Sequence, residues 1–142
     1  MPGDEEIQQL RQCVLDSAFT GQALPGSSAR VTLPDLHYVL RQPAILLLND
    51  GKAQTISQAD LPKPLRVMSP PELEAEARGQ EVGYLMLRDE VLDEDTVRVT
   101  LSAQLMTSRG ERAGLGLSAV HVTFRKRSGA WLAEDGPVTL AA

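Results

Sequence analysis

The chain has 142 residues, with 14 basic and 19 acidic side chains and a formal net charge of −5. This is the profile of one globular domain, residues 1–142, long enough to bury roughly 70% of the surface its unfolded chain exposes. A single cysteine, Cys13, excludes an internal disulfide framework and any multi-thiolate zinc site, and two histidines leave little material for transition-metal chemistry, so no metal or cofactor is expected. The acidic balance is the wrong sign for general affinity to nucleic acid or anionic membrane.

The first residues, Met1 to Glu6, are polar and acidic and lack the positive start and apolar run of a secretory signal. The longest apolar run, Ala44 to Leu48, is far short of the ~20 residues that a membrane-spanning helix needs. The expected location is the cytoplasm. From Asp4, a candidate N-cap, Ile7, Leu10, Val14 and Ala18 recur at helical spacing, which predicts a helix over residues 4–20 that stops at Gly21. Gly21 to Ser28 reads as a loop. Pro34 to Arg41 predicts a second, shorter helix ended by Pro43. Ala44 to Asn49 predicts a strand, and Asp50-Gly51 a hairpin turn returning through Ala53 to Ser57. Leu65 to Met68 is another short strand.

Ser69-Pro70-Pro71-Glu72 has the form of a capping box with prolines in the first turn, opening a short helix with its stop at Gly79. The period then changes from helical to twofold. Val82 to Leu92 and Val97 to Leu105 predict two long strands joined at Asp93-Glu94-Asp95. A Gly-rich connection, Arg109 to Gly116, leads to a third strand with Val120, Val122 and Phe124 on one side, and Ser128-Gly129 turns it into Ala130 to Ala133. Helices before a run of antiparallel strands imply an α+β domain in which the N-terminal helices cover one face of a curved, mainly antiparallel sheet.

The ending Val120-His121-Val122-Thr123-Phe124-Arg125-Lys126-Arg127-Ser128-Gly129-Ala130-Trp131 resembles the last hairpin of nuclear-transport-factor-2-like, cystatin-like-fold proteins. The resemblance implies a cone-shaped α+β roll wrapped round the first helix. It also implies either a ligand pocket in the cone mouth, which enzymes of the family use for acid/base chemistry, or a dimerising or binding role. No catalytic residue of that family maps onto this chain.

His37 and His121 are the candidate bases, with Asp35, Glu81 or Tyr84 as acid partners, because an imidazole titrates near neutrality. A pocket built on this reading takes His37, Tyr84, Met86 and His121 as lining groups for a small apolar ligand. Each histidine also has a plain reading as a surface or hydrogen-bonded structural residue. Cys13 lies beside the Leu10 and Val14 stripe, where a small packed residue is ordinary. Gly110, Gly114 and Gly116 lack the Lys-Ser/Thr pair of a phosphate loop and read as a strand connection. Asp89, Glu90, Asp93, Glu94 and Asp95 read as a solvated acidic tip without the spacing of a calcium loop. Arg125-Lys126-Arg127 has no stacking platform for nucleic acid, Phe124 being assigned to the core.

Tyr84-Leu85-Met86-Leu87 and Ile45 to Leu48 are apolar on both strand faces, whereas a sheet covered on one side alternates. Either a second copy or a ligand cavity then covers the other face, with Leu85 and Leu87 the candidate dimer contacts. Three readings follow: a non-catalytic homodimerising interaction module, a small-molecule binder or acid/base enzyme (isomerase, dehydratase or cyclase type), and an accessory protein docking through its acidic tip.

Overall fold

The computed structural model describes residues 2–51, 56–57, 61–107, 118–134 and 137–141. Among them run α1 (Asp4–Thr20), α2 (His37–Leu40), β1 (Ile45–Leu48), β2 (Leu65–Met68), α3 (Pro70–Glu76), β3 (Val82–Asp93), β4 (Thr96–Met106), β5 (Ser118–Arg127), β6 (Ala130–Ala133) and β7 (Val138–Ala141). The strands form one open sheet in the order β2-β1-β3-β4-β5-β6, with β7 also paired to β5. The domain is α+β, an N-terminal helix packed on a seven-stranded mixed sheet that does not close. No helix among the described residues is long and apolar enough to cross a membrane.

The cap of α1 lies one residue before the expected Asp4: Gly3 is the N-cap and its N–H donates to the Glu6 carboxylate at 3.4 Å. It ends at Gly21, whose φ of 75° supplies the left-handed turn. Its buried stripe is Ile7, Leu10, Arg11, Val14, Leu15 and Ser17, packed on the inner face of the sheet made by Ile45, Leu47, Leu85, Leu87, Val97, Val99, Leu101, Val120, Val122 and Phe124. Leu24, Val31 and Leu33 from the following loop close this core, and Ser17 Oγ anchors that loop by accepting from the Val31 N–H at 2.8 Å.

The long strands pair as their alternation requires. Register is continuous from Val82↔Met106 to Val91↔Val97, then slips by one residue before Asp93↔Thr96. Leu92 is the extra residue of this bulge and is left 41% exposed. The β5–β6 hairpin turns through Ser128 and Gly129, both at positive φ, the conformation of a tight I′ turn.

Three expectations are corrected. The second helix covers only His37–Leu40, because Leu36 and Tyr38 donate to carbonyls three residues back and wind Pro34 to Leu36 as turns. Among the described residues Asp50-Gly51 opens no hairpin onto β1. The chain leaves the sheet there, Asn49 Oδ1 accepting from the Gly51 N–H at 2.9 Å, and Ser57 is held against α1 by Gln12, which accepts from its N–H at 2.7 Å and donates to its carbonyl at 3.0 Å. Residues 53–55 of that expected strand lie outside the described residues, and β1 is flanked on both sides by parallel strands, β2 from Ile45↔Leu65 to Leu48↔Met68 and β3 at Leu47↔Leu85.

The third correction concerns the far side of the sheet. The helices do not share one face: α3 lies on the face opposite α1, where Leu73 and Ala77 pack on Leu46, Met68, Val82, Tyr84, Met86 and Met106. The capping box forms as read, Ser69 Oγ accepting from the Glu72 N–H and the Glu72 carboxylate accepting from the Ser69 N–H. These bonds hold the Glu72 carboxyl below its usual range. The apolar surplus of Tyr84 and Met86 is thus covered within the chain.

Candidate functional site

Sequence order and packing leave three polar arrangements. The first is internal. Arg11, 1% exposed, points from α1 to the sheet, where Nη1 donates to Asp89 at 2.8 Å and Nη2 to Asp50 at 2.9 Å. Asp89 therefore belongs to the core side of β3 and not to a solvated tip. The end of that tip is a turn at Glu94 and Asp95: Asp93 Oδ1 accepts from the Asp95 N–H at 2.8 Å, and this bond, first among its causes, holds the Asp93 carboxyl below its usual range.

The second is the half of the outer sheet face that α3 leaves open. Register places Glu90, Arg98 and Thr123 side by side, with Arg88, Thr100 and His121 in the next row and Ser102 and Ala119 beyond. Arg88 and Glu90 are exposed and the β4 and β5 members half-buried. Arg98 Nε is shielded from water without a hydrogen-bond partner among the described residues. Val138, opposite His121 on β7, is 45% exposed. The nearby cations of β5 are occupied: Arg125 and Arg127 meet Glu134 at 2.9 and 3.8 Å, while Lys126 Nζ and Trp131 Nε1 donate to Glu6 at 3.1 and 2.6 Å. The last two bonds, led by that of Trp131, hold the Glu6 carboxyl low.

The third is a cleft of about 640 Å³ lined by Arg41, Gln42, Pro43, Ala44, Leu46, Arg66, Glu76, Gln80, Glu81 and Val82. Its frame is built by an amide clamp: Gln42 donates to the Gly83 carbonyl at 2.8 Å and accepts from the Gly83 N–H at 2.7 Å, replacing a neighbouring strand at the start of β3. Gly83 permits the approach, since a Cβ there would stand 2.7 Å from the Tyr38 carbonyl oxygen. Lys63 Nζ donates to the carbonyls of Leu40 and Gln42 and fixes the same wall.

The expected pocket residues are dispersed. Tyr84 and Met86 are buried beneath α3 at 1% and 7% exposure, His37 is exposed at the start of α2, and His121 is half-buried on the open face; none lines the cleft. Leu85 and Leu87 are 0% and 2% exposed in the single chain, beneath α1, so a dimer contact cannot rest on these two side chains. Cys13 is a partly covered thiol whose pKa burial and then Asp16 push up, the opposite of what a nucleophile requires. Gly110, Gly114 and Gly116 lie outside the described residues. No group of three or more His, Cys, Asp or Glu that could hold a metal occurs among the described residues.

Arg11 was within reach of sequence reasoning: it falls at helical spacing between Ile7 and Val14, a charge on an apolar stripe. The glutamine clamps carry no such signal. No family model, curated protein or solved structure matches this chain.

The His121 imidazole is held below the ordinary histidine range, first by desolvation and then by the nearby Arg98 charge. Protonation is thus harder in the folded than in the unfolded chain, so the stability linked to His121 is complete above pH 6.5 and is lost as pH falls through the lower folded value. His121→Gln is expected to flatten the acid limb of a urea-stability profile between pH 7 and 5; an unchanged slope would assign that limb to other groups.

Proposed function

We propose that the chain is a non-catalytic interaction module of the cytoplasm, and that two copies associate through the open half of the outer sheet face. One observation carries this reading: on that half, Arg98 Nε is shielded from water without a hydrogen-bond partner among the described residues, and a buried donor calls for an acceptor. A second copy supplies the acceptor. Glu90 is the register neighbour of Arg98, so a twofold contact can set each Arg98 against the other copy's Glu90. Arg125 and Arg127 share Glu134, which offsets one of their two charges and lowers the like-charge cost of bringing two such faces together. Val138 adds apolar area beside them. The element order keeps the resemblance to nuclear-transport-factor-2-like domains as the proposed kinship.

Native mass spectrometry of the full chain tests this. The expected species is a dimer, converted to a monomer with unchanged melting temperature by Thr100→Arg, which places two further charges at the centre of the contact. A monomeric wild-type chain, or a dimer indifferent to Thr100→Arg and Val138→Asp, rejects the proposed face.

A further inference from the structure

The cleft between α2, β1 and the carboxyl end of α3 has a distinct chemistry. Its floor is apolar, Leu46 and Val82 being 5% and 3% exposed, and its polar rim carries both signs of charge. Two rim charges are uncommitted among the described residues. Arg41 is exposed, and its guanidinium lies 4.9 Å over the Tyr38 ring, a contact that orients it without neutralising it. Glu81 is exposed just before β3, and its side chain makes no hydrogen bond or ion pair among the described residues. The other two rim charges, Arg66 and Glu76, face each other at 3.2 Å with side chains 52% and 38% exposed, and such a pair is cheaply opened.

From one free cation, one free anion and an apolar floor we infer that this cleft binds a small zwitterion with an apolar body, a short apolar peptide with free termini. Arg41 takes the carboxylate, Glu81 the ammonium, and Leu46 and Val82 the side chains. A bare anion is disfavoured because Glu76 and Glu81 share the rim, and a bare cation because Arg41 and Arg66 do. A cleft of about 640 Å³ falls in the size range of small-molecule sites and leaves a single amino acid loosely held. The frame is pre-organised: the Gln42–Gly83 clamp and the Lys63 ammonium fix the segment that carries Arg41 relative to the strand that follows Glu81, so little ordering cost remains for the ligand to offset. The inference stands apart from the proposed dimer contact, which uses the far half of the same sheet face.

The test is an amide-shift NMR titration of the full chain with leucylleucine, its N-acetyl form and its C-terminal amide. Leucylleucine is expected to shift the amides of Arg41, Gln42, Ala44, Leu46 and Val82, and blocking either terminus to weaken binding by about tenfold. Arg41→Gln is expected to abolish the penalty for amidation while keeping that for acetylation, and Glu81→Gln the reverse. Both residues are exposed, so these variants keep the fold, which their melting curves verify. Absence of shifts at the cleft with leucylleucine overturns the inference. Equal binding of the blocked and free peptides overturns it as well, because the rim charges would then select nothing.

Discussion

Replacing Arg11 by alanine is expected to cost about 3–5 kcal/mol of folding stability, a large part of the roughly 5–15 kcal/mol that holds a domain together, and to lower the melting temperature by roughly 10–20 °C. The cause is less the loss of two hydrogen bonds than what they leave behind. Asp89, with its side chain 8% exposed, would keep a carboxylate facing the core without its guanidinium, and the 31% exposed Asp50 would lose its tie to α1. Breaking one side of a desolvated ion group costs more than removing all of its members together, which is close to neutral. The triple replacement Arg11→Met, Asp50→Asn, Asp89→Asn is therefore expected within about 1 kcal/mol of the parent chain. Urea unfolding of the two variants separates the cases. Arg11→Ala within 1 kcal/mol of the parent would mean that water reaches the carboxylates and that the triad contributes nothing.

The same triad explains where the sequence was legible and where it was not. Features set by neighbours along the chain were readable: the stop of α1 at Gly21, the Ser69–Glu72 box, the alternation of β4 and the Ser128-Gly129 turn each follow from a few adjacent residues and appear as expected. Asp50-Gly51 is equally strong as a local hairpin signal, yet Arg11, far away in sequence, captures Asp50 and Gln12 captures the backbone of Ser57, so the chain departs from the sheet and β1 finds a parallel partner. Periodicity states which side chains share a face but not which strand lies alongside. For this reason the shared face of Val97, Val99, Leu101, Val120, Val122 and Phe124 was foreseeable, while the place of Leu85 and Leu87 beneath α1, where a dimer contact was expected, and the cleft were not. Its rim unites Arg41, Arg66 and Glu81 from segments that only the parallel β1–β2 pairing and the Gln42 clamp bring together. The two-faced hydrophobicity of Tyr84 to Leu87 required a cover on each side, but over Tyr84 and Met86 that cover is not the second copy or ligand cavity expected: it is Leu73 and Ala77, four residues apart on α3 and its C-cap.

Leu73 is the larger side chain of that cover, which makes Leu73→Ala the second large expected effect. Leu73 is fully buried against the outer cluster, and truncating a buried leucine costs about 2–5 kcal/mol, the lost transfer energy plus the cavity left behind. Here the loss is expected near the middle of that range and with a local signature. A helix of seven residues has almost no stability of its own, so the capping box can set where α3 begins but cannot hold it on the sheet. With Leu73 shortened, α3 is expected to open before the rest of the domain, exposing Tyr84, Met86 and Met106. Hydrogen exchange at the amides of Leu73 and Ala77 would then accelerate well beyond that at Leu101 or Val122, beneath α1, and a hydrophobic dye would bind under native conditions. Glu74→Ala, on the exposed side of the same helix, is expected to change stability by less than about 0.5 kcal/mol. If Leu73→Ala instead accelerates exchange uniformly across the sheet, α3 is part of the global folding unit, and the two faces of the sheet stand or fall together.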